Sequence, residues 1–124
     1  MKNLIALALT LGTFSGGAFA AGGKAVFKDA VIAKFKASDI SLMTAKVDQA
    51  LSADKDGEPL DWKNEKTGAG GNVTPLARFE ASGLACRRLR VVNTYRKQTG
   101  VGVYRFCEKP AGQWKLVGPD KDPA

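Results

Sequence analysis

Hydrophobic and polar positions along the 124-residue chain fall into stretches of different period. An apolar run from Leu4 to Leu11, interrupted only by Thr10, comes first. Further on, Ile40, Met43, Val47, Ala50 and Leu51 recur at spacings of three and four, which predicts an amphipathic helix. Ser38 or Asp39 is placed to cap it, and the turn composition of Asp54-Lys55-Asp56-Gly57 predicts an end by Ala53. Ala25 to Lys36 is ambiguous: Phe27, Val31 and Phe35 repeat every four residues, yet Val31-Ile32 suits an extended start equally well.

Beyond the helix the pattern turns β-like. Leu60 to Lys63 reads as a short strand around Trp62, and Asn64 to Gly71 as a polar, glycine-rich turn. Val73 to Phe79 reads as a strand in which Pro75 predicts an edge or a bulge. Cys86 to Cys107 follows as a hairpin, then a turn at Lys109-Pro110-Ala111-Gly112, a last strand from Gln113 to Val117, and a frayed tail from Gly118. A helix followed by a run of strands predicts an α+β domain, with an N-terminal helix packed on one face of a small antiparallel sheet.

The hairpin carries its own register. If Cys86 opposes Cys107, then Arg88 opposes Arg105, Arg90 opposes Val103, Val92 opposes Val101, and the turn lands on Tyr95-Arg96-Lys97-Gln98. Side chains alternate between faces along each strand. The disulfide face then holds Arg88, Arg90 and Arg105, and the opposite face holds Leu89, Val91, Tyr104 and Phe106, a core side.

The N-terminus bears on those cysteines. Met1-Lys2-Asn3 is basic, Leu4 to Leu11 is apolar, and Ala18-Phe19-Ala20 fits a small-x-small cleavage site, the three parts of a secretory signal peptide. The expected organisation is a signal at 1–20, an N-terminal segment at 21–37, the α+β domain at 38–118 and a flexible tail at 119–124. Export to an oxidising compartment, the periplasm foremost, and two cysteines predict one disulfide, Cys86 to Cys107. Closing that loop stabilises the fold by roughly 3 kcal/mol in the chain-entropy picture.

Charge is uneven. Residues 21–61 hold six Lys against seven Asp or Glu, whereas 62–124 hold twelve Lys or Arg against five acids, a net of +7. Such asymmetry fits a polyanionic partner, and it fits better a solvated sheet face that keeps an exported protein soluble. The candidate binding residues are Arg88, Arg90, Arg96, Lys97 and Arg105, all within one hairpin. Opposed Arg88 and Arg105 repel unless solvent screens them, Glu80 or Glu108 lies near, or a bound anion compensates. Tyr95 is a single aromatic beside them, without the series that single-strand binders use, so nucleic acid is a weak candidate.

Catalytic patterns are missing. The chain has no histidine, which removes Ser-His and Cys-His nucleophile arrangements and the commonest metal ligand. A calcium loop counted from Ser52 fails, because Lys63 stands where a bidentate glutamate is required. Gly68, Gly70 and Gly71 lack the Gly-Lys-Ser/Thr ending of a P-loop and read instead as a turn needing positive φ. Trp62 and Trp114 read as core or sheet-packing aromatics whose indole N–H groups bond to backbone. No catalytic residue, cofactor or metal site is expected.

Taken in order, Trp62-Lys63-Asn64, Thr67-Gly68, Gly71-Asn72-Val73-Thr74-Pro75, Cys86-Arg87, Cys107 and Gly112-Gln113-Trp114-Lys115 resemble the bacterial 17-kilodalton outer-membrane surface antigen family. The resemblance runs from about Asp39 to Val117. It implies a small envelope-associated domain with antiparallel sheet and a paired cysteine, and it does not imply an enzymatic activity. The chain departs from many relatives in lacking a lipidated cysteine after the signal and a glycine-zipper segment, and in having Ala111-Gly112 where relatives often have Asp-Gly. The functional expectation is a non-enzymatic exported envelope protein. Its Arg-rich hairpin would bind an anionic envelope component (anionic lipid or lipopolysaccharide) or an acidic protein surface. The alternative is a periplasmic accessory or inhibitor that inserts a loop into an acidic protein target.

Overall fold

A computed structural model describes residues 30–110 and 112–120. The expected signal peptide, its cleavage site and Phe27 lie outside the described residues. A 3-10 turn, Ile32–Lys34, leads through extended Phe35 into the helix α1, Ala37–Leu51. Five strands follow: β1 Leu60–Asn64, β2 Ala69–Ala81, β3 Leu84–Tyr95, β4 Gln98–Lys109 and β5 Gln113–Pro119. They form one antiparallel meander in the order β1-β2-β3-β4-β5, with α1 lying mainly over β1 and β2. The architecture is α+β, as the pattern predicts.

The stripe does what its spacing requires. Met43, Val47, Ala50 and Leu51 are buried and Ile40 is half-buried against the core, facing Trp62, Val73, Leu89, Val91 and Phe106 on the sheet. Each large apolar side chain removed from water contributes roughly 1.5–3 kcal/mol. The ambiguous approach to the helix joins this core too: Val31, Ile32 and Phe35 are buried, and the Phe35 ring meets Trp62 edge-to-face at 5.4 Å.

The hairpin register is the one the cysteines imply. Cys86 pairs with Cys107, Arg88 with Arg105, Arg90 with Val103 and Val92 with Val101, and the turn closes between Tyr95 and Gln98. The two cysteines are disulfide-bonded, with Cα atoms 4.0 Å apart. Leu89, Val91, Tyr104 and Phe106 all face the core.

Several expectations are corrected. Lys36, not Ser38 or Asp39, is the N-cap residue of α1; Asp39, the third residue of the helix, caps it from inside by accepting the Lys36 backbone N–H, half of a capping box. The β1–β2 turn is shorter than expected, because β2 already begins at Ala69. Of the three glycines, Gly68 has positive φ (81°), while Gly70 and Gly71 lie within β2. Gly71 is needed there for close approach, since a Cβ would stand 2.1 Å from the Val92 carbonyl oxygen. Trp62 crosses that site, and its buried Nε1 has no hydrogen-bond partner among the described residues, so the expected bond to backbone is not made. Pro75 begins a register shift against β3 that ends at Arg78, the anticipated bulge. β5 runs two residues further than expected, and the Asp120 N–H extends it by donating to the Val103 carbonyl at 2.8 Å.

Candidate anion-binding face

The helix covers one face of the sheet and, among the described residues, no helix covers the other, where Cys86, Cys107 and Val103 are buried beside the arginines; alternation along β3 decides which arginine goes where. Arg87 shares its face with Leu89 and Val91, and it is fully buried. Arg88 and Arg90 point the other way.

Arg87 is held from five directions. Its Nε donates to the Leu76 carbonyl at the β2 bulge (3.1 Å), and one terminal nitrogen donates to the carbonyls of Leu51 (3.3 Å) and Ala53. The other donates to the Asp56 carboxylate at 2.7 Å and, at 3.5 Å, to the Lys55 carbonyl. A guanidinium has five N–H donors, and here there are five acceptors. Leu51 ends α1, so the cation also sits where helix carbonyls lack partners and the dipole is negative. Arg87 is therefore a clamp between the helix end, the following loop and the bulge.

An opposite charge closes the other end of the helix. Asp39 is fully buried and accepts hydrogen bonds from the Lys36 backbone N–H (2.8 Å), Asn64 Nδ2 (2.7 Å) and Thr67 Oγ1 (2.6 Å). Burial by itself pushes the carboxyl up. The bonds from Thr67, Lys36 and Asn64, with the nearby Lys36 charge, outweigh that and hold it below its ordinary value of 3.8. Asn64 and Thr67, both in the ordered pattern of the sequence, thus tie the β1–β2 turn to the helix start. Spacing showed Asp39 only as a cap and gave no sign of this network.

On the open face the structure brings Arg88, Arg90 and Arg105 together. Arg88 and Arg105 are direct cross-strand partners, and Arg90 follows Arg88 on the same side of β3. Val92 and Val101 continue that face, and Val101 is 53% exposed. Arg88 is not bare: its guanidinium lies over the Phe79 ring at 5.3 Å, and its Nε is 3.0 Å from the Asp120 carboxylate. The compensating acid is thus Asp120, from the segment expected to be a frayed tail, rather than Glu80 or Glu108. Arg105 Nε is buried without a hydrogen-bond partner among the described residues.

Arg96 and Lys97 belong elsewhere. Both are exposed at the hairpin turn, six or more residues along the strand from Arg90. Arg96 stacks over Tyr95 at 5.2 Å and its backbone N–H donates to the Gly68 carbonyl. The hairpin tip is thereby level with the β1–β2 turn and does not project as an insertion loop. Arg96 borders a shallow groove of about 560 Å³ floored by Gly70 and Gly71 and flanked by Asp61, Lys63 and Thr94. The five candidates therefore form two separate groups.

Among the described residues, no helix is long and apolar enough to cross a membrane. Comparison with curated proteins returned no match, and neither did comparison with solved structures. A family model described as the 17 kDa outer membrane surface antigen matches residues 49–115. That span starts near the end of α1 and includes β1 to β4, the disulfide, the Arg87 clamp and the Asn64 and Thr67 donors. Since the match covers more than half of the chain, this protein belongs to the 17 kDa outer membrane surface antigen family, a family of the cell envelope.

Proposed function

We propose that this protein is a non-enzymatic, periplasmic envelope protein that binds an anionic envelope component through its open sheet face. Arg88, Arg90 and Arg105 are the contact residues. The observation that carries this reading is the asymmetry of the sheet: one face is closed by the helix, and the other presents three arginines beside exposed valine. Arginine forks match phosphate and carboxylate oxygens and are more weakly hydrated than an ammonium. Val92 and Val101 supply apolar contact next to them, and the +7 balance of residues 62–124 draws polyanions from a distance.

The test is a titration of the purified protein with anionic lipid vesicles and with lipopolysaccharide, at low and high salt. Arg88→Ala and Arg105→Ala should each weaken binding, and added salt should weaken the wild type most. Equal binding by all variants, or binding by none, would sink the reading.

A further inference from the structure

Arg88 and Arg105 oppose one another across β3 and β4, an arrangement that is unfavourable for like charges. The fold answers it with a carboxylate of its own. Asp120 Oδ2 lies 3.0 Å from Arg88 Nε, and the Asp120 backbone N–H is anchored on the Val103 carbonyl at 2.8 Å. The Phe79 ring under Arg88 fixes the guanidinium from below. Even so, the Arg88 side chain keeps 47% of its exposure, while that of Asp120 keeps 18%. Arg105 Nε, next to this pair, is a buried donor with no acceptor among the described residues. One arginine is thus occupied by an internal carboxylate, and the Nε of its neighbour has no acceptor among the described residues.

We propose that the Arg88–Arg105 pair is a site for an oxyanion group, carboxylate or phosphate, and that Asp120 is its built-in competitor, displaced when the ligand binds. This deepens the function proposed above and rests on it. A carboxylate oxygen on Arg88 Nε makes the contact that an oxygen of a bound phosphate would make, so Asp120 marks both the place and the chemistry. Displacement requires little rearrangement. The β4–β5 register is broken between Arg105 and Phe106, so Gly118 to Asp120 are separated by a bulge from the pairs that Gln113 to Leu116 make. That end can leave β4 without undoing the rest of β5.

The experiment measures dissociation constants for two probes, vesicles containing phosphatidylglycerol and inorganic phosphate. Four proteins are compared: wild type, Asp120→Ala, Glu65→Ala and Arg88→Ala/Arg105→Ala. Glu65 is exposed in the β1–β2 turn, so its removal changes net charge equally without touching the site. Removing Asp120 should tighten at least one probe by a factor of up to about five, the worth of releasing an exposed ion pair. Glu65→Ala should bind as wild type does, and the double arginine variant should lose binding. Tightening toward vesicles alone identifies a lipid headgroup, and tightening toward phosphate identifies the free ion. If Asp120→Ala binds no more tightly than wild type or Glu65→Ala while the double arginine variant loses binding, the competitor is overturned and the proposed function stands. Absence of binding by every protein overturns both.

Discussion

Arg87 and Arg88 are adjacent in the chain and separated by the thickness of the sheet. Arg87 is sealed among five oxygens at the end of the helix, whereas Arg88 lies in the open with a ring beneath it and one carboxylate beside it. The same side chain is a structural rivet on one face and an available cation on the other. Their difference shows that the basic excess of this hairpin cannot be treated as one feature. A charge that has lost its water must be fully hydrogen-bonded to be tolerated, and then it is committed to the fold. A charge that keeps its water contributes little to stability and stays free for a partner.

The largest expected effect tests the buried side of this contrast. Arg87→Ala should destabilise the protein by about 3–5 kcal/mol in urea unfolding, because it empties a fully buried volume and takes the donor from the carbonyls of Leu51 and Leu76, while Ala53 keeps Arg78 and the exposed Asp56 carboxylate returns to water. A change as small as that of an exposed arginine would erase the distinction between the faces.

The opposite end of the helix sharpens it. Asp39→Asn replaces an acceptor oxygen with a donor in a site built of donors, and should cost about 1–3 kcal/mol. Its pH dependence has a definite sign. The folded carboxyl titrates below its ordinary value of 3.8, so its stabilisation is fully present above that value and is lost as pH falls through the lower, folded one. Stability measured from neutral pH down to strong acid should therefore drop in the acid limb for the wild type. The Asn variant should lack that component, and identical acid limbs would show that Asp39 does not supply it.

The smallest effect belongs to the open face. Arg88→Ala and Arg105→Ala should each change unfolding free energy by no more than about 0.5–1 kcal/mol, Arg88 losing an ion pair and Arg105 relieving a like-charge contact. Destabilisation by several kcal/mol in either variant would mean that this arginine, too, is part of the frame.

Much of the frame was legible along the chain. The three-and-four spacing from Ile40 to Leu51 fixed which side of the helix meets the sheet, since a helix has one apolar stripe to bury. Two cysteines at equal distances from a turn set the hairpin register, and a period of two then sorted Leu89, Val91, Tyr104 and Phe106 inward. That same period places Arg87 among them. Parity was the available signal for its burial, but composition counts it with the other arginines. Boundaries were less legible. The glycines at 70 and 71 have turn composition, and only their strand partners reveal that the space is closed by Val92 and Trp62.

What the sequence determines by itself, then, is everything that depends on near neighbours: the helix stripe, the alternation of faces, the disulfide register and the uneven charge. Those follow from backbone periods of 3.6 and 2 and from covalent pairing, which need no knowledge of the rest of the molecule. The tertiary structure alone decided the partners of the charges. Asp39 meets Asn64 and Thr67 across 25 and 28 residues, and Arg87 meets Asp56 across 31. Arg88 meets Asp120 from a strand two places along the sheet from its own. Contacts of that range are set when layers pack and strands align, so no local pattern carries them. They separate the arginine sealed inside this fold from those on the far face of the sheet.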